Sequence, residues 1–283
     1  MKKVIFALAI LFSFYISIYP QCSDAGVCSI GDHISAAAKN EIFFSLGYGY
    51  SGKDDDVTYK SVNAEGKIFV DNNSFFVAKI PFGFQSGPRG SESGMGDLTV
   101  LFNYGIWEET NFSIMLSAGL KLATSRINGK NYLPQTYQSG LGTNDFLFGA
   151  TATFDQFSFA LGYQLAGKEI PESINKLERG DDILLKGGYN FDVDGTNISS
   201  ELFYIKRLTK SAILLSGETG SPYKYEVPKS DQSQLNLLIN VNRDLGNDFS
   251  FAGTFALPFL KRDVNVDGLT RKFTLNVGIV YRF

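Results

Sequence analysis

From residue 41 to the last residue, apolar side chains recur at alternate positions, run after run. In KFTLNVGIVYRF, Phe273, Leu275, Val277, Ile279, Tyr281 and Phe283 fall on one parity, and Thr274, Asn276, Gly278 and Arg282 fall on the other. A period of two is the repeat of an extended strand with one continuously apolar face. Ten runs show it cleanly, beginning with Ile42, Phe44, Leu46, Tyr48 and Tyr50 and including Phe112, Ile114, Leu116, Ala118, Leu120 and Leu122. VTYKSVNAEGKIFV is a strand by position, and NISSELFYIKRLTKSAILL starts in phase at Leu202 and Tyr204 before the phase blurs. The expectation is twelve strands, with no amphipathic helix and no interior apolar run long enough for a membrane-spanning helix.

The connections alternate between two kinds. DNN (71–73), EET (108–110), DQ (155–156), DVDG (192–195) and GND (246–248) are tight and rich in turn formers. SGKDDD (51–56), QSGPRGSESG (85–94) and the stretches 125–142, 168–180, 216–229 and 261–268 are longer and polar. An even set of antiparallel strands with short turns at one rim and long loops at the other is the plan of a transmembrane β-barrel.

The two faces of the strands support that plan. A soluble sheet turns its second face to bulk water and charges it. Here the second face is small and mildly polar, as in Ser113, Ser117, Gly119, Gly149, Thr151 and Thr153, with a few charges placed among such residues. That composition suits a narrow lumen, and a closed barrel satisfies every backbone hydrogen bond within lipid. Aromatic residues gather beside the short turns, among them Phe154, Phe157, Tyr189, Phe191, Phe249, Tyr281 and Phe283, as a girdle at one membrane interface. The fold class expected is therefore all-β, a single antiparallel barrel with both termini in the periplasm.

The first residues, MKKVIFALAILFSFYISIYPQC, have the layout of a secretory signal peptide: two lysines, an apolar run from Val4 to Tyr19, then polar sequence. The division expected is a removed signal at 1–21, a periplasmic segment at 22–40 and an outer-membrane barrel at 41–283. An acylated Cys22 would want small residues before it, which Tyr19, Pro20 and Gln21 are not. In an oxidising compartment Cys22 and Cys28 are read as a small disulfide loop; their spacing is not C-x-x-C. A metal held by both cysteines and His33 would lack an evident fourth ligand, so neither metal nor cofactor is expected.

Charge and composition narrow the function. A net charge of -3 argues against nucleic acid as a partner. The single histidine, His33, precedes the first strand, which leaves a barrel hydrolase without its usual base, so no enzymatic activity is expected.

GMGDLTVLFNYGI (94–106), a Gly-x-Gly-Asp turn opening an alternating strand after PFGFQSG, resembles the outer-membrane transporter-like barrels of the meta-pathway of phenol degradation family. GTNDFLFGATATF (142–154) looks like that family's second glycine and aspartate strand start. The resemblance implies passage of small, hydrophobic or aromatic compounds across the outer membrane. Tyr281 and the terminal Phe283 resemble the signal read by the barrel assembly machinery. The segment holding Cys22 and Cys28 matches nothing in the family's motifs.

Within the barrel, the candidates for the lumen are Lys79, Asn103, Lys121, Lys186, Glu201, Asn236, Asn240 and Arg282. The charged ones read as ion pairs bracing the wall or as a ladder for solute. Asp97 and Asp145 share the lumen parity and lie toward the long-loop rim, where each ties down a Gly-rich turn or helps select solute. The functional expectation is a passive channel for small solutes, partnered by outer-membrane lipid and the assembly machinery; the alternative is a structural or surface-interaction barrel with no through-pore.

Overall fold

In the computed structural model, residues 30, 39–52, 55–125, 133–167, 176–216, 222–264, 266–269 and 271–283 are described. The signal segment, Cys22, Cys28 and His33 lie outside them. Fifteen strands follow one another: β1 (Glu41–Tyr50), β2 (Thr58–Phe69), β3 (Ser74–Gly87), β4 (Gly90–Met95), β5 (Leu98–Glu109), β6 (Phe112–Leu122), β7 (Asp145–Phe154), β8 (Phe157–Leu165), β9 (Asp182–Val193), β10 (Thr196–Arg207), β11 (Ala212–Ser216), β12 (Pro222–Glu226), β13 (Ser233–Gly246), β14 (Phe249–Leu260) and β15 (Phe273–Arg282). Twelve of them close a ring in the order β1, β2, β3, β5, β6, β7, β8, β9, β10, β13, β14, β15. Every neighbouring pair is antiparallel, and β15 returns to β1 from Arg282 opposite Glu41 to Phe273 opposite Tyr50. Nothing in the ring is left as an open edge, which is what a sheet in lipid requires.

The remaining strands belong to the long-loop rim. β4 pairs with the upper half of β3, so residues 85–94, expected as a loop, are the tip of a hairpin that carries the wall beyond the barrel. β11 and β12 form a separate hairpin. Their presence explains the blurred phase after Tyr204: the chain leaves the wall beyond Arg207, and AILL belongs to another sheet.

At the other rim the turns are tight. Asp194 and Gly195 both take positive φ (52° and 75°), as do Asn247 and Asp248 (53° and 64°), the backbone that matches the twist of two-residue hairpins. The described chain ends meet at this rim: Phe283 N–H donates to the Asn40 carbonyl at 3.0 Å, and Lys39 pairs with Asp248 at 2.7 Å.

The outward parity is apolar and exposed on the isolated chain, from Phe44, Leu46 and Phe76 to Phe159, Leu161 and Phe255. Phe249, Tyr281 and Phe283 stack along the short-turn rim, with ring centroids 4.9 and 6.0 Å apart. The inward parity departs from expectation. Besides small polar residues it carries Phe75, Val77, Leu101, Met115 and Leu147, which pack together inside the barrel, and Leu184, Phe203 and Ile205, which form a second cluster.

Candidate functional site

Inward residue size divides the barrel interior. The first apolar cluster packs on the inner side of β3, β5, β6 and β7. The second is completed by Ile30, a residue of the segment before the barrel, which is fully buried against Leu184, Phe203 and Ile205. Gly149 and Gly162 make room for it, since a Cβ at Gly149 would collide with Ile30 Cγ2. A side chain from outside the sheet therefore occupies the lumen.

A cavity of about 850 Å³ remains inside the barrel, lined chiefly from β1, β2, β3, β9, β10, β13, β14 and β15. It extends from Glu41 and Arg282 at the short-turn rim to Ser139, Gly140 and Arg271 beneath the long loops. Polar groups contribute to its wall: Asn63 donates to Ser45 Oγ at 3.2 Å and Asn240 donates to Ser199 Oγ at 2.9 Å. Charged side chains line it as well, Lys67 and Arg271 among them. Lys186 Nζ is 3.7 Å from Glu201, Arg282 donates to Glu41 at 2.9 Å, and Lys79 faces Glu65 across the β2–β3 register.

The predicted lumen residues separate into three places. Lys79, Lys186, Glu201, Asn240 and Arg282 border the cavity. Asn103 is buried away from it, accepting a hydrogen bond from Ser117 at 2.6 Å, and Asn236 is enclosed within the β13 side of the wall. Lys121, with Asp145, belongs to a charged group at the long-loop rim.

Among the described residues, that group is the most densely paired. Lys121, Arg179, Arg207 and Arg262 meet Asp97, Asp145, Asp182 and Asp267, four cations with four anions, each almost fully buried. Asp182 receives Arg179 at 2.8 Å and both Arg207 and Arg262 at 3.1 Å. Asp267 lies 2.7 Å from Arg207, 3.6 Å from Arg179 and 3.7 Å from Arg262. Burial alone would push the Asp267 carboxyl up, but Arg207, Arg179 and Arg262 outweigh it and hold it well below the usual carboxylate range.

The group clasps loops together. Asp267 sits in the β14–β15 loop, yet its partners are Arg207 at the end of β10 and Arg179 before β9, so this loop crosses the mouth. Gly268, at φ 69°, packs directly on Gln135 and Thr136 in the β6–β7 loop. Asp97 holds the same β6–β7 loop, accepting from Leu141 N–H at 2.7 Å, Gly142 N–H at 3.1 Å and the Ser125 hydroxyl at 2.6 Å. Its carboxylate thus anchors a distant loop in addition to opening β5. Asp145 accepts from Gly167 N–H at 3.0 Å and from the Gln164 amide. Arg271 lies against the Tyr59 ring, 3.2 Å from its centroid, and donates to the Gly268 carbonyl at 2.7 Å.

Sequence reading missed Arg179, Asp182, Arg207, Arg262 and Asp267. One signal was present: Asp182 and Arg207 both carry lumen parity at the long-loop ends of neighbouring strands, and they are register partners.

A closed twelve-stranded antiparallel barrel with an apolar exterior is the architecture of an outer-membrane β-barrel. It superposes on the COG4313 outer membrane channel from Pseudomonas putida F1 with a TM-score of 0.63 at 15% identity, covering 93% of this chain and 100% of that one. The NanC porin gives a TM-score of 0.51 at 8% identity, over 85% of this chain and 100% of the porin. At such identities the likeness is one of fold. No family model and no curated protein matches the sequence.

Proposed function

We propose that this chain is an outer-membrane channel for the passive passage of small solutes. The observation that carries the reading is the cavity of about 850 Å³ inside the barrel, lined from the short-turn rim to the loop layer. An apolar barrel exterior around an interior void with polar groups in its lining supports a path for solute through the protein and away from lipid. The short-turn rim, with both described chain ends, is then periplasmic, and the clasped loops face outward from the cell. Tyr281 and Phe283 serve as the recognition signal for the assembly machinery, and residues 1–21 as the export signal.

The hydrophobic or aromatic cargo implied by the family resemblance finds apolar surface in Phe43 and Leu238, half-buried residues of the cavity lining. Planar-bilayer conductance and liposome swelling with the purified mature chain test the reading: stepwise conductance and solute uptake above protein-free membranes are expected, and no flux of ions or solute overturns it.

A second reading has its own support. The buried clasp across the mouth favours a structural barrel with no through-pore. Absence of flux both in the parent and after release of the clasp by Asp267→Asn would establish that reading in place of the first.

A further inference from the structure

Among the described residues, the cavity is more positive than the chain as a whole. Besides Lys60, which stands on the outward parity of β2, its lining includes the cations Lys67, Lys79, Lys186, Arg271 and Arg282. Against them stand only the carboxylates Glu41, Glu65 and Glu201, because Asp97 is taken up in the clasp by Lys121 and the β6–β7 loop. The whole chain has a net charge of -3, so its average composition does not produce this sign.

The cations are held in different ways. Arg282 donates to Glu41 at 2.9 Å, and Lys186 Nζ lies 3.7 Å from Glu201. Lys67 Nζ is 4.5 Å from the centroid of the Phe75 ring, and Arg271 lies over the ring of Tyr59. Lys79 is half-buried, and among the described residues no ion pair, hydrogen bond or ring contact holds its ammonium. Its register partners are Glu65 on β2 and Thr99 on β5. Phe43 on β1, half-buried in the same lining, is in turn the register partner of Glu65.

We infer that the passage selects small organic anions, monocarboxylates with a hydrocarbon body, and that Lys79 is the side chain that meets them; this substrate class rests on the channel assignment above. A positive interior attracts anions and repels cations, and low-dielectric walls focus that field along the path. Rings and patches of lysine and arginine are the means by which pores admit anions. At Lys79 a carboxylate exchanges part of its hydration for a charge-assisted hydrogen bond. Glu65 across the register keeps that attraction shallow, so the solute leaves again. The guanidinium groups of Arg271 and Arg282 are engaged by Tyr59 and Glu41, which leaves a point charge rather than the planar fork that suits phosphate. The hydrocarbon part of the solute rests on Phe43.

Zero-current potentials across planar bilayers holding the purified mature chain read the sign of the selectivity. In a gradient of potassium chloride, the potential is expected on the chloride side of zero, with chloride about threefold more permeant than potassium, the scale of one hydrated ionic interaction. A gradient of potassium butyrate should give the same sign. Lys79→Met keeps the side-chain length and should move the permeability ratio toward one, whereas Glu65→Gln should raise it. A packing role for these two side chains would not drive the ratio in opposite directions. Equal permeabilities or a potassium preference in the parent, in either salt, overturn the inference and leave the channel assignment standing, as does an unchanged ratio in Lys79→Met. Absence of conductance in both salts overturns the assignment and the inference with it. Should a variant fail to insert, the sign in the parent decides.

Discussion

Along β6 and β7 the inward positions include Met115, Lys121, Leu147 and Thr151, whereas along β1 and β15 they include Ser45, Gly47, Thr274 and Asn276. Both regions obey the same alternation and turn the same kind of apolar face outward. On the first side the interior is packed; on the second a cavity remains. The comparison separates two decisions that a barrel sequence makes independently. Parity decides which side of the wall a residue occupies, and inward bulk decides whether the lumen near it is wall or passage.

The largest expected effect comes from joining the two regions at the clasp. Asp267→Asn keeps the side-chain volume but withdraws a carboxylate from Arg207, Arg179 and Arg262, leaving buried guanidinium charge uncompensated. Breaking one partner of such a group costs about 3–5 kcal/mol. A lower thermal midpoint, read from the heat-dependent gel mobility of the barrel, and a higher conductance are expected together.

Next in size is Leu147→Ala, which empties a fully buried site in the packed region and should cost about 2–5 kcal/mol. The same mobility assay measures it, and a midpoint equal to the parent's would break the distinction between a filled and an open side.

Acid provides a graded version of the first test. The folded-state pKa of Asp267 is depressed, so its contribution is fully present above the unfolded carboxylate value and is lost as pH falls through the folded one. The midpoint contribution of the clasp should hold from pH 8 to about 5 and decline only below about 4. A thermal midpoint series over pH, in the parent and in Asp267→Asn, should therefore converge at the acid end.

Ser61→Ala, on the cavity side, is the smallest change. Ser61 Oγ accepts from Asn63 at 3.3 Å in a part-buried setting, and its loss should move stability by no more than about 0.5 kcal/mol.

Much of the fold could be read in the chain because a membrane barrel writes itself as a repeat. Each of the twelve wall strands coincides with an alternating run or its predicted position, and the tight links are the turns observed. The glycine and aspartate strand starts also drew attention to Asp97 and Asp145, and lumen parity to Lys121, three of the clasp residues. The rest of the clasp was hidden for a physical reason. Arg179, Arg262 and Asp267 lie in loops, where no period constrains the residue type, and they meet only because the loops fold over the mouth. The filled side was hidden differently. Leu101, Leu147 and Leu184 interrupt the small-residue face singly, and one leucine per strand looks like noise until neighbouring strands bring three or four together.

The seam between β1 and β15 has a consequence for biogenesis. The first and last strands of the barrel share ten register pairs, from Glu41 with Arg282 to Tyr50 with Phe273. Until β15 is in place, β1 therefore presents an unpaired edge with nothing in its own chain to cover that side. Contacts between the ends of a chain are the slowest to form and the most open to wrong partners in the meantime. The cell must accordingly shield the whole polypeptide in an unclosed state, and completion of this wall is an event that happens once, at the end.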